Sequence, residues 1–121
     1  VSTPICIFED HAFANFYPLT LGQPVFDLRV GAGTLRSRWL DLLAGAAVNL
    51  LCRDYLAELV RLTTLDAAVN GEVADETLFV NARWLCLGGE QRALLSRVAQ
   101  DTVATRGGSV VAARVGKHAA A

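Results

Sequence analysis

The chain has 121 residues, 53% of them hydrophobic and 7% aromatic, and its 11 basic and 12 acidic residues leave a formal net charge of −1. That length suits one domain, 1–121, able to bury roughly two-thirds of the surface its unfolded chain exposes, and the aliphatic bias suits a sheet covered by helices. The near-balance of charge excludes a global basic face for nucleic acid or a membrane surface. No apolar run approaches the ~18 residues of a membrane span.

Cys6, Cys52 and Cys86 each lie in or beside apolar runs. An odd count without paired spacing argues against a disulfide framework or a zinc site, so buried thiols in a reducing cytoplasm are expected. The chain does not start with a secretory pattern. It starts at Val1 and ends GKHAAA, which leads to the expectation of a fragment of a longer protein.

Ile5 to Phe8 is a short continuous apolar run, expected as a strand buried on both faces. The acidic pair Glu9 and Asp10 follows, then an irregular stretch punctuated by Pro18, Gly22 and Pro24. Beyond it come Arg29, Arg36 and Arg38 and the turn Gly31-Ala32-Gly33-Thr34. From Thr34 the spacing of Leu35, Trp39, Leu42 and Leu43 predicts a helix, with Thr34 as N-cap and Gly45 as stop. Ala47 to Cys52 reads as a second strand, and Asp54 as the cap of a helix carrying Leu56, Leu59 and Val60 on its apolar face.

Leu65 to Glu76 is polar and acidic and reads as a solvated connection. Thr77 to Leu85 is a third strand candidate. Gly88 and Gly89 introduce a helix through about Gln100, with Leu94, Leu95 and Val98 on one face. Thr102 to Val115 holds two β-prone runs meeting at Gly107-Gly108, the signature of a two-residue hairpin. The alternation predicts an α/β, Rossmann-like three-layer domain with a mainly parallel sheet and a C-terminal β-hairpin. Ligands on such sheets lie beyond the carboxyl ends of the strands, here Glu9-Asp10, Arg53-Asp54 and Asn81 to Trp84.

YPLTLGQP (Tyr17 to Pro24) resembles the Pro-Leu-Thr, three residues, Pro stretch of sugar-1-phosphate nucleotidyltransferases, and FDLRVGAGTLRSRWLDLL (Phe26 to Leu43) resembles their passage into the second helix. Closer still is the divergent branch that opens on an IFED-like strand followed by NFYPLT, and whose members often carry a left-handed β-helix half after this domain. The similarity continues through CRDYL, TLFVNARWL and VVAARV, nearly the whole chain. It implies transfer of a nucleotidyl group from an NTP to a sugar 1-phosphate, with Mg2+ and release of pyrophosphate. Thr20, in the Pro-Leu-Thr stretch, is a binding candidate by the same resemblance.

The departures fall on the catalytic equipment. AFANF (Ala12 to Phe16) stands where the family loop is glycine-rich, and Val25 where it has lysine. Ala82-Arg83 replaces the Gly-Asp whose carboxylate holds the metal. Arg83 could supply part of that charge but cannot coordinate a cation, so no metal ligands are assigned and the isolated chain is expected to be a poor or inactive transferase. A non-catalytic nucleotide- or sugar-phosphate-binding or assembly module is the alternative.

Arg29 and Arg36 offer forked donors suited to phosphate, or are salt-bridged surface arginines. Gly31, Gly33 and Thr34 either present N–H groups to an anion or simply start a helix. Asn81 either binds a ligand at the strand end or pairs with backbone. Glu9 and Asp10 are expected as solvated or capping groups, a metal role being the lesser reading. His11 and His118 fit no ligand pattern and are expected in loops.

Overall fold

The computed structural model describes residues 4–42, 47–64, 67–71, 77–84 and 102–115. Strand β1 (Ile5–Phe8) is the axis of the domain, because Ile5, Cys6 and Ile7 are all buried. Such a strand needs partners on both edges. It pairs in parallel with β4 (Val48–Leu51) on one side and β6 (Thr77–Asn81) on the other. Beyond β4 lies β5 (Ala68–Val69), also parallel. Beyond β6 lie β8 (Ser109–Val115) and β7 (Thr102–Arg106), antiparallel to their neighbours. The sheet order is β5-β4-β1-β6-β8-β7, a mixed, mainly parallel sheet with helices: the expected Rossmann-like α/β architecture.

Helices α1 (Leu35–Leu42) and α2 (Asp54–Thr63) follow the apolar periodicity. Trp39 of α1 is fully buried, and Leu56, Ala57 and Val60 of α2 join the core. Leu59, expected on the apolar face, is instead 51% exposed. Asp54 is the first helical residue of α2 rather than its cap; Arg53 holds the N-cap position with its side chain engaged elsewhere. Two short 3₁₀ turns, His11–Phe16 and Val25–Asp27, organise the long loop after β1. The second drives Val25 and Phe26 into the core beside Trp39 and Leu50.

Between that loop and α1 a small ribbon forms from β2 (Arg29–Val30) and β3 (Gly33–Thr34), turning on Gly31 and Ala32. Thr34 caps α1 as expected, and its exchange with Ser37 is reciprocal. The Ser37 N–H donates to Thr34 Oγ1 at 3.0 Å, and the Thr34 N–H donates to Ser37 Oγ at 2.8 Å, a capping-box arrangement with serine in the far position. A Cβ on Gly33 would stand 2.6 Å from that Ser37 Oγ, so only glycine admits the clasp. The β7–β8 hairpin turns at Gly107-Gly108, both with positive φ, the type I′ geometry that matches strand twist.

Strand β5 lies inside the segment expected to be a solvated connection. Two residues carry no periodicity, yet Val69 is buried and pairs with Leu50. Asn49 ties down the chain beyond it, donating to the Gly71 carbonyl at 3.0 Å and accepting from the Gly71 N–H at 3.1 Å. The helix expected between Gly88 and Gln100, the stop at Gly45, Cys86 and His118 lie outside the described residues.

Among the described residues Trp39 is the largest fully buried side chain, and its indole N–H donates to the Trp84 carbonyl at 2.7 Å. Trp39→Ala opens a cavity and orphans that carbonyl, so stability should fall by about 3–5 kcal/mol, read as a lower urea midpoint at unchanged slope.

Candidate functional site

The loop after β1 crosses the carboxyl ends of the central strands, and two adjacent carboxylates hold it there. Successive residues leaving β1 reach opposite neighbours. Glu9 turns toward the end of β4 and meets Arg53; Asp10 turns toward the end of β6 and meets Arg83.

The Glu9 side chain is 1% exposed. Its two oxygens receive four donors: the N–H and Nε of Arg53, Nη2 of Arg53, and the Val25 N–H. Arg53 Nη2 also donates to the carbonyls of Thr20 at 2.6 Å and Gln23 at 3.1 Å. The guanidinium lies over Phe13, 4.1 Å from the ring centroid, and near Tyr55, whose hydroxyl donates to the Leu21 carbonyl. Burial works to lower the Arg53 pKa, and the bond and charge of Glu9 more than reverse it.

Asp10 is saturated in the same way. Its oxygens accept from the Ala12 N–H, Asn81 Nδ2, and Nε and Nη2 of Arg83, at 2.8 to 3.1 Å. Burial alone would raise its pKa, but these bonds and the Arg83 charge outweigh it and hold the carboxyl below its ordinary value. Asn81 is buried and fully used: it donates also to the Val110 carbonyl and accepts from the Arg83 N–H.

Two cavities flank Arg83. The first, about 460 Å³, has apolar walls from Phe16, Leu19, Leu28 and Leu35, with Gln23, Arg29 and Arg83 as polar members. The second, about 230 Å³, is walled by Asn81, Arg83, Trp84 and the β7–β8 hairpin. Of the residues singled out in the sequence, Arg29, Arg83 and Asn81 therefore come together at the strand ends.

The other candidates are built into the scaffold. Thr20 is buried and its hydroxyl donates to the Phe13 carbonyl at 2.7 Å. Gly31 and Gly33 belong to the β2–β3 ribbon rather than to an open nest of N–H groups. The N–H groups of Thr34, Leu35 and Ser37 are taken by Ser37 Oγ, the Leu28 carbonyl and Thr34 Oγ1, which leaves little at the start of α1 for an anion. Arg36 pairs with Asp27 at 2.7 Å, donates to Thr64 Oγ1 and lies over Phe26. Burial raises the Asp27 pKa, with the charge and bond of Arg36 opposing it. Glu9 and Asp10, expected as solvated or capping groups, are ion-paired; Asp10 also caps the first 3₁₀ turn. His11 lies at the start of that turn.

Among the described residues, those at the strand ends do not fit a resident divalent ion. Among the described residues no three His, Cys, Asp or Glu side chains converge. A carboxylate has about four acceptor sites, and in both Glu9 and Asp10 four donors already fill them. Among the described residues the thiols are held protonated, since burial pushes Cys6 up to about 12 and Cys52 up to about 11. What the arrangement offers chemically is forked cationic donors, Arg29 and Arg83, on the lining of the first cavity.

A family model described as sugar nucleotidyl transferase matches residues 5–121. The chain belongs to the sugar nucleotidyl transferase family. No curated protein matches it. Family membership makes this a nucleotidyltransferase-like domain, and its cleft lies where ligands of open α/β sheets bind. Transfers of this kind generally rely on a divalent metal to neutralise phosphate charge, and here the strand ends carry two arginine–carboxylate pairs.

The residues missed in the sequence are those that act through the fold. Arg53 anchors the loop from 44 positions away, and Arg106 and Ser109 reach the strand ends only because β8 runs antiparallel to β6. The hairpin signal at Gly107-Gly108 could have located that pair, had the direction of β8 been known.

Glu9→Ala strips a buried guanidinium of its counter-charge and should cost about 3–5 kcal/mol at neutral pH, measured by denaturant unfolding. For Asp10 the sign follows from its lowered pKa. Its contribution is complete above the unfolded carboxylate range, about 3.9, and is lost as pH falls through the lower folded value. Asp10→Asn should therefore be less stable at pH 7 by about 1–3 kcal/mol, and the gap from wild type should close on acidification toward pH 2.

Proposed function

We propose that this domain binds a nucleotide through its phosphates in the first cavity, as the nucleotide-handling unit of a sugar-1-phosphate nucleotidyl transferase, and that it does not complete the transfer by itself. The observation that carries this reading is the pairing of Arg83 with Asp10 at the end of β6. The acid beside the site is saturated, while Arg83 keeps its Nη1 edge without a partner among the described residues. Arg29 supports the same reading, being exposed and bonded, among the described residues, only to the Ala32 carbonyl at 3.3 Å. Its forked donors suit phosphate oxygens, and the apolar walls of Phe16, Leu28 and Leu35 suit the flat face of a base.

Nucleotidyl transfer is mostly positioning and charge neutralisation, so it needs no nucleophilic side chain. This chain supplies positioning and monovalent positive charge. A divalent ion bridging two phosphates needs near-octahedral oxygen ligands, and the saturated carboxylates do not offer them. Free Cys6 and Cys52 fit a reducing compartment, where NTPs are abundant.

Calorimetric titration should detect NTP binding, and Arg29→Ala should weaken it by about 1.5–3 kcal/mol if the guanidinium makes a charged hydrogen bond. Pyrophosphate release, assayed across NTPs with hexose and hexosamine 1-phosphates, should stay at background with or without magnesium. Robust magnesium-dependent turnover by this chain would overturn the reading, because it would require Asp10 or Glu9 to leave its arginine for a metal, or another carboxylate to supply the site.

A further inference from the structure

Helix α2 is apolar on two faces. Six of its ten residues, DYLAELVRLT, are apolar, and only Leu56, Ala57 and Val60 are spent on the core. Tyr55, Leu59 and Leu62 follow the spacing i, i+4, i+7, which sets them along one narrow stripe of the helix. That stripe faces outward: Tyr55 is 64% and Leu62 80% exposed, with Leu59 between them half exposed. A surface helix normally carries polar residues there, and an apolar outer stripe marks a surface that a partner covers. The Tyr55 hydroxyl also donates to the Leu21 carbonyl, which brings Leu21, itself exposed, against the first member of the stripe.

The charges beside the stripe say what the partner is. At 3.6 residues per turn Glu58 and Arg61 fall on the same flank of it, one helical turn apart. Among the described residues Glu58 makes no ion pair, and Arg61 gives only its Nη2, to the Val69 carbonyl at 3.2 Å. Together with Leu62 they line a recess of about 240 Å³ on this face. An acid and a base on one flank are complementary to themselves. When a second copy of the helix lies antiparallel across a two-fold axis, equal flanks meet with their order reversed, so Glu58 of each copy faces Arg61 of the other. A parallel pair would set the two flanks on opposite sides and leave all four charges alone. With the axis near Leu59, Leu62 of one copy falls between Tyr55 and Leu59 of the other, ridge into groove.

We propose that the outer face of α2 is a dimerisation surface on which two copies of this chain pack antiparallel, with Leu59 at the two-fold axis and two Glu58–Arg61 pairs beside it. No residue of α2 lines either cavity flanking Arg83, so the pairing is independent of nucleotide binding. A helix of ten residues is about 15 Å long. The contact therefore belongs with small, exchanging interfaces, and the dimer population rises with protein concentration.

The test is sedimentation of the whole chain from micromolar to millimolar concentration. Wild type should pass from monomer to a species of twice its mass. Leu59→Asp sets like charges side by side at the axis and should weaken the dimer about tenfold or more. Glu58→Arg and Arg61→Glu should each weaken it as well, and the double variant, with both signs exchanged, should recover it. Leu59→Cys should form a disulfide-linked dimer under mild oxidation far faster than Val103→Cys, an exposed position outside this face. Unfolding midpoints verify that each variant is folded, and Leu59→Cys keeps the test decisive where a charge variant is unstable.

A chain that stays monomeric at millimolar concentration overturns the dimer. A dimer indifferent to Leu59→Asp overturns this face, and failure of the double charge variant to recover association overturns the antiparallel pairing. Monomers that sediment with phosphatidylcholine–phosphatidylserine vesicles, and lose that binding in Leu59→Asp, would give the stripe to a membrane surface and overturn the second copy as its occupant.

Discussion

Glu9 leaves the end of β1 as a charge with almost no access to water, and Arg53 supplies the compensation across the sheet from the end of β4. The residues from Pro18 to Pro24 form no ladder, so their backbone carbonyls need donors from elsewhere. Arg53 gives its Nη2 to two of them while the same nitrogen and Nε hold Glu9, and Glu9 in turn accepts from the Val25 N–H. One ion pair thereby fixes both ends of the loop segment that walls the first cavity. A buried pair of this kind is no more stabilising than apolar residues of the same volume. Its effect is to select one loop conformation, because any other leaves a charge or several carbonyls unpaired.

The Asp10–Arg83 pair is the same device turned to the other side of β1. Side chains alternate along an extended segment, so two consecutive acids reach two different neighbouring strands. Both acids are neutralised locally, and, among the described residues, Arg29 and Arg106 line one cavity each without a carboxylate partner. A chain of formal charge −1 thus has arginines lining both cavities. Net charge bears on solubility and long-range steering, and here it hides the local sign entirely.

The elements legible in the sequence are those governed by local pattern. The apolar run of β1 has the expected bounds, β4 lies within the run Ala47 to Cys52, β6 begins at Thr77 as expected but stops at Asn81, and the glycine pair marks the hairpin. The polar network was not legible, because each of its bonds joins residues far apart in the chain. Arg36 looks as suited to phosphate as Arg29 until the fold brings Asp27 and Thr64 to it. Thr20 sits in a motif that suggests ligand contact, yet its hydroxyl is spent on the Phe13 carbonyl. Arg83 was legible as a departure from the family pattern, but its partner Asp10 lies 73 residues away. Sequence spacing identifies donors and acceptors; only the fold decides which of them remain free.

Arginine at the end of β6 changes what the site can do, beyond removing a metal ligand. A divalent ion draws two phosphate groups into one coordination shell and cancels their mutual repulsion as the reactants approach. A guanidinium carries half that charge, spread over a plane, and Asp10 already balances it here. The net field that Arg83 adds at a phosphate is therefore smaller than its formal charge suggests. On the proposed reading a phosphate in the first cavity is held mainly by Arg29 and the free edge of Arg83. Contacts of that kind serve the bound ground state as well as the transition state, and interactions that are equal in ground and transition states lower KM without raising kcat.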